Sequence, residues 1–246
     1  LSVNLAIELQ KRGRNCILVD VDLGLANAHI VAGVAPPVTL IDVTEGVYSL
    51  AEVIVEGPAG IGMIAGGSGV LELANLPGYK RTQLLMELEK IEHRVDYIIL
   101  DMGTGISATV LDFMAAADAS LVVTTPDITA VTDAYGMLKV LNRYGVASRA
   151  GIICNQVSSA TQGKEIFNKL QTCCSRFLDF SPHYWGHIFK DSSVGKATAE
   201  RVPYVLSHPY SRASRCTSLI AESIYREPIS KKESSFRMMR SGTTGT

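Results

Sequence analysis

A chain of 246 residues, 47% of them hydrophobic, can bury most of its apolar surface in one core. Its formal net charge of −1 gives no global attraction to nucleic acid or to an anionic membrane. The five cysteines (Cys16, Cys154, Cys173, Cys174 and Cys216) are odd in number, lie mostly in apolar segments and form no C-x-x-C pair, which argues against a disulfide framework or a zinc site.

The first residues, LSVNLAIELQKRG, carry Leu1, Leu5 and Leu9 at helical spacing, and Gly13 stands where a helix would stop. A domain seldom opens inside an uncapped helix, so further residues are expected upstream. CILVDVD (16–22) reads as a strand and IGMIAG (61–66) as a short one. RTQLLMELEKIEHRV (81–95) is an amphipathic helix with Leu84, Leu85, Leu88 and Ile91 on one face. The next pairs alternate: strand 96–103, helix 107–118, strand 119–125, helix 130–145, strand 149–157, helix 163–178, strand 183–189, and a closing helix over 214–227. No apolar run is long enough to span a membrane, because charges interrupt each one, and no signal-peptide pattern is present.

Continuous apolar strands alternating with helices predict an α/β fold: three layers, a mostly parallel sheet with helices on both faces. Residues 1–227 are read as one domain. Residues 228–246, polar and mildly basic, are read as a flexible tail; a short membrane-surface helix using Phe236, Met238 and Met239 is the alternative.

In such sheets ligands bind beyond the carboxyl ends of the strands. The residues found there are Asp20, Asp22, Asp101, Gly103, Asn155 and Asp191. Acids at that edge suit Mg2+, which prefers a few carboxylates plus phosphate oxygens, and a second acid can orient a water for attack on phosphate. Each acid alone also reads as a helix or turn cap. Two acid-ended strands, one of them D-x-D, favour a phosphate site. In DMGTGIS (101–107) the glycines let backbone N–H groups approach an anion, and Ser107 can cap the following helix. Asp127 and Asp133 read as caps, with a partner-facing helix as the alternative. No G-x-x-x-x-G-K-[ST] loop occurs in the chain: Gly163-Lys164 precedes Glu165 and Gly195-Lys196 precedes Ala197.

The segments LSVNLAIELQKRGRNCILVDVDLGLAN, ILDMGTGIS and LVVTTPDITAVTDAYGMLKVL together resemble the MinD/ParA group of deviant-Walker ATPases. DLGLANAHIVAGV, TLIDVTEG, GGSGVLELANL and TTPDITAVTDAY resemble its flagellar branch, the FlhG/FleN/YlxH proteins. The resemblance spans roughly residues 1 to 225. It implies ATP and Mg2+ as ligands, with the P-loop directly ahead of Leu1. Asp22 matches the aspartate that orients the attacking water, with Asp20 near the metal in the same motif. Asn27 ends that first switch, and Asp101 matches the acid that holds Mg2+ through water. Gly103 matches the N–H donor to the γ-phosphate, Asn155 the residue that hydrogen-bonds adenine, and Asp191 falls in the loop against the base.

The resemblance further implies an ATP-dependent homodimer that hydrolyses ATP to ADP and regulates flagellar number and placement. Its implied partners are an FlhF-type GTPase, switch-complex proteins and, in some bacteria, a flagellar transcriptional activator. The implied location is the cytoplasm, with peripheral contact at the inner face of the membrane through the tail. Without the P-loop the chain alone is expected to bind ATP poorly, to be inactive as an ATPase, and to be unstable, since losing a central strand exposes unpaired backbone. The alternatives are a nucleotide-free scaffold or antiactivator module of the same fold, and a division-site or partition ATPase. A partition role would need a dense Lys/Arg patch, which the sequence lacks, so direct nucleic-acid binding is not expected.

Overall fold

The computed structural model describes residues 1–22, 26–67 and 76–227. The tail at 228–246, Gly24, and most of GGSGVLELANL lie outside the described residues.

Helix α1, Ser2–Gln10, is buried along nearly its whole length, and Gly13 follows it with φ +76°, a left-handed conformation that suits glycine. Strand β1, Cys16–Asp20, is followed by two short helices, α2, Ala28–Val31, and α3, Leu40–Thr44. Strands β2, Val55–Glu56, and β3, Gly62–Ile64, come next. Then follow α4, Gly78–Glu92, β4, Tyr97–Asp101, α5, Ala108–Ala116, and β5, Ser120–Thr124. The second half contains α6, Ile128–Arg143, β6, Ala150–Val157, α7, Ala160–Phe177, and β7, His183–Phe189. Helices α8, Ser192–Glu200, α9, Tyr204–Ser207, and α10, Arg212–Arg226, close the described chain.

Every strand and helix expected from the sequence is present, with shifted ends. Helices α6, α7 and α10 start two or three residues earlier than their apolar repeat, because Asp127, Ser159 and Ser211 cap them from upstream. Ser107 caps α5 as expected. Helices α2, α3, α8 and α9 and strand β2 are additions; they are short or weakly patterned, and packing rather than propensity holds them.

The strands form two hydrogen-bonded sheets, ordered β2-β3-β1-β4 and β5-β6-β7. All pairings are parallel except β2 with β3. Alternation along each strand sends side chains to opposite faces. Ile17 and Val19 of β1 join Ile64, Leu84, Leu88 and Phe113 in a cluster under α4 and α5. Ile152 and Cys154 of β6 join Leu138, Phe167 and Leu170 under α6 and α7. The opposite face belongs to both sheets. There Leu18 of β1 and Ile153 and Trp185 of the other sheet share one cluster with Ile7 of α1 and Ile220 and Ile224 of α10. Thus helices cover both faces, and α1 and α10 hold the two sheets together from one side.

Between the sheets, no strand among the described residues pairs with the far edge of β4 or the near edge of β5. A cleft of about 1560 Å³ runs between them, reaching from Trp185 and Ile224 to Asp101, Gly103 and Ser2.

Candidate functional site

The expected site residues stand at or just beyond the carboxyl ends of the strands, and of them Asp101 and Gly103 line this cleft. On one side, β1 and β4 pair in register so that Asp20 lies opposite Asp101. The ladder runs one step further, with the Val21 N–H donating to the Asp101 carbonyl at 2.9 Å. Beyond it Asp22 lies over Gly103: a Cβ at position 103 would stand 2.8 Å from Asp22 Oδ1, so a larger residue there would displace the carboxylate from this place. Asp22, Asp101 and Gly103 are half-buried. Asn27 is exposed at the N-cap position of α2 and makes no side-chain capping bond.

The three acids differ in their partners. Asp20 is 2% exposed, and its Oδ1 accepts the Asp22 N–H at 3.2 Å while its Oδ2 accepts the Ala28 N–H at 2.9 Å. Burial, with Asp101 as a second cause, pushes its carboxyl above the usual range, against the backbone donors Ala28, Asp22 and Asn27. Asp101 Oδ1 accepts the Ser2 hydroxyl at 2.6 Å and borders the cleft. Ser2 was not singled out by the sequence, since one serine near a helix start reads as an ordinary cap; only the return of α1 against β4 gives it this contact.

Among the described residues no three His, Cys, Asp or Glu side chains form a cluster able to hold a metal by themselves. The donor set fits Mg2+ all the same. That ion keeps several waters and takes one or two carboxylates plus phosphate oxygens, and Asp101 beside Asp22 offers that.

On the other side of the cleft, β6 ends in an irregular turn. Its pairing with β7 shifts between Cys154 and Val157, and Gln156 adopts φ +57°. This kink leaves Asn155 half-buried, its Oδ1 accepting the Gln156 N–H at 2.9 Å. The Lys190 N–H donates to the Val157 carbonyl at 2.9 Å, drawing the Asp191 loop to the end of β6. Asn155 and Asp191 are therefore brought to the same edge.

Asp191 caps α8. Its Oδ1 accepts the Ser193 N–H and hydroxyl, and its Oδ2 accepts the Ala213 N–H at the start of α10. The Ser193 hydroxyl, then its N–H, hold the carboxyl below the usual range. Beside it the Arg212 guanidinium stacks 3.8 Å from the Phe189 ring centre, a cation–π contact that the sequence pattern did not reveal. Asp127 caps α6 through the Thr129 N–H, in line with its bland reading, and Asp133 is exposed along the cleft.

The CobQ/CobB/MinD/ParA nucleotide-binding domain model matches residues 1–204. The antiactivator FleN of Pseudomonas aeruginosa is 34% identical, over 93% of this chain and 82% of its own length. The flagellum site-determining protein YlxH of Helicobacter pylori is 31% identical, over 82% of this chain and 68% of its own. Among solved structures, the cell division ATPase MinD of Pyrococcus furiosus superposes with a TM-score of 0.77 at 24% identity, covering 92% of this chain and 91% of that one. MinD of Pyrococcus horikoshii, solved with Mg-ADP, gives 0.75 at 23%, covering 92% and 89%. At that identity the structural likeness speaks for the fold, while the domain match and the two bacterial relatives speak for the family. Acid-ended parallel strands, a cleft at their carboxyl edge and the domain match lead to one conclusion: the chain belongs to the MinD/ParA family of nucleotide-binding proteins.

Proposed function

We propose that this chain is the main body of an ATP-dependent dimerisation switch that regulates flagellar number and placement. The observation that carries the reading is the pair of adjacent acid-ended strands, β1 and β4, in register so that Asp20 lies opposite Asp101, with Asp22 over Gly103. Similarity to FleN and YlxH supports the flagellar role.

In this reading the residues divide the work. Asp22 accepts a hydrogen bond from the attacking water, which adds to the γ-phosphorus of ATP and releases ADP and phosphate. The Gly103 N–H faces the γ-phosphate, and its lack of Cβ lets Asp22 approach the same place. Asp101, with Asp20 beside it on the neighbouring strand, would hold Mg2+ through water, and the ion would neutralise charge on the phosphates. Asn27 closes the first switch segment. Asn155 hydrogen-bonds the base and Asp191 lies in the loop against it. Residues 20–27 and 101–107 are the segments that γ-phosphate contacts order and hydrolysis releases.

The phosphates also require the amides and lysine of a P-loop. A strand carrying such a loop would fit the cleft between β4 and β5. The supporting geometry is that both cleft edges belong to parallel strands and that α1 opens at the cleft mouth, with Ser2 on Asp101. The expected location is the cytoplasm, with FlhF-type GTPase, switch-complex and flagellar-activator partners.

The competing reading is a nucleotide-free antiactivator scaffold, favoured by the complete engagement of the Asp20 and Asp191 carboxylates with backbone N–H groups and neighbouring hydroxyls. Sedimentation of the natural gene product with Mg-ATP separates the two. The switch reading expects dimer to accumulate with ATP in Asp22→Ala and to dissociate with ADP. A monomer under all nucleotide conditions favours the scaffold.

A further inference from the structure

Asp20 differs from Asp22 and Asp101 in being fully enclosed, with both oxygens bonded to backbone N–H groups. Its two oxygens reach forward along the sequence, one to the Asp22 N–H at 3.2 Å and the other to the Ala28 N–H at 2.9 Å. These two donors stand on either side of the turn between β1 and α2. The carboxylate therefore ties together the point where the chain leaves β1 and the point where it enters α2. The first tie fixes the backbone of Asp22, whose side chain lies over Gly103. The second fixes the residue after Asn27.

We propose that Asp20 is a positioning residue: it holds the backbone of Asp22 and the start of α2 in place, setting the first switch segment, and acts on hydrolysis through Asp22 rather than by binding the metal. This rests on the reading of Asp22 as the residue that orients the attacking water. A charged acceptor suits the task, because hydrogen bonds from backbone N–H to a carboxylate are about twice as strong as those to a neutral oxygen. Burial strengthens them further, since a low local dielectric leaves no competing water. The same two bonds occupy one lone-pair direction on each oxygen, which leaves Asp101 as the acid better placed to face a hydrated cation at the cleft.

The test uses Asp20→Asn, which keeps the volume and one acceptor oxygen and replaces the other with an amide donor. In the natural gene product, hydrolysis is expected to fall about 100-fold, the loss that a misplacement near 1 Å can cause. The KM for Mg-ATP and the Mg2+ concentration at half-maximal rate stay within about twofold, as expected when only transition-state geometry is lost. The double variant Asp20→Asn/Asp22→Ala is expected to be no slower than Asp22→Ala alone, because residues acting as a unit are not additive. An additive double variant overturns the proposal, and so does a raised Mg2+ requirement, which would make Asp20 a metal ligand.

Hydrogen exchange separates failure of this proposal from failure of the ATPase reading. In the wild-type protein without nucleotide, the Asp22 and Ala28 amides are expected to be protected, and Asp20→Asn speeds their exchange while β6 stays protected. Exchange of either amide at the free-peptide rate in the wild type overturns the tie, whether or not the protein hydrolyses ATP.

Discussion

The two sheets meet the cleft with different chemistry. The β2-β3-β1-β4 sheet brings acids whose oxygens face backbone donors, a hydroxyl or a bare glycine: Asp20, Asp101 and Asp22. The β5-β6-β7 sheet brings an amide on a kinked strand end and an acid that caps a helix: Asn155 and Asp191. Burial raises the carboxyl of Asp20, whereas hydrogen bonds lower that of Asp191. The first arrangement leaves Asp22 and Asp101 half-buried at the strand ends, whereas the second fixes a loop through the bonds of Asp191. In the proposed reading, reaction chemistry and base recognition come from separate halves, and α1 and α10 join those halves through the shared cluster around Ile7, Leu18 and Ile153.

The largest effect should come from breaking that joint. Ile7 is fully buried in the shared cluster, and Ile7→Ala is expected to cost about 2–5 kcal/mol, read from chemical denaturation. Both sheets should loosen together. Burial pushes the Cys16 thiol up to about 12 and the Cys154 thiol up to about 11, so neither reacts until its surroundings open. Equal acceleration of alkylation at both cysteines in Ile7→Ala fits a shared joint; acceleration at Cys16 alone would mean that the halves open independently.

Next comes the acid side. Asp22→Ala is expected to slow phosphate release by about 100-fold or more with nucleotide affinity retained, in keeping with the usual contribution of a positioned base. Asn155→Ala should do the reverse, weakening nucleotide binding by roughly tenfold, about 1.4 kcal/mol, with kcat little changed. If both substitutions alter kcat alone, the division of labour between the sheets is wrong.

The smallest effect concerns pH. Asp191 has a folded-state carboxyl held below its unfolded value, so its stabilisation is present above the unfolded value and is lost as pH falls through the folded one. The Asp191→Asn variant should therefore be less stable than wild type at neutral pH, by under about 1 kcal/mol at this solvent-screened site. The gap should close on acidification toward and below the ordinary aspartate range. Melting curves across that range check the sign.

Much of this was legible in the sequence, for identifiable reasons. The apolar runs of β1 and β6 are continuous because both faces are covered, and that run length marks a parallel sheet, whereas β4 is half-buried and Val123 of β5 is exposed beside the cleft. The acids Asp20 and Asp101 stand at strand ends because β1 and β4 end in the same register. Helices α6, α7 and α10 begin ahead of their apolar repeats because Asp127, Ser159 and Ser211 cap them from upstream, whereas the Ser107 cap of α5 is legible in the sequence. Helices α8 and α9 were not legible, since they are held by tertiary contacts such as Ala197 in the shared cluster and the Val205 N–H on the Asn4 side chain. The Ser2–Asp101 contact and the two-ended tie made by Asp20 span residues whose meeting depends on the fold, and no local pattern announces either one.

The account turns on whether the cleft edge binds nucleotide. The most direct measurement is a calorimetric titration of Mg-ATP into the natural gene product and into its Asn155→Ala variant. The account predicts binding by the natural protein and a loss of affinity with Asn155→Ala. No binding by the natural protein would contradict it, and would leave Asp20, Asp22 and Asp101 as structural acids of a scaffold.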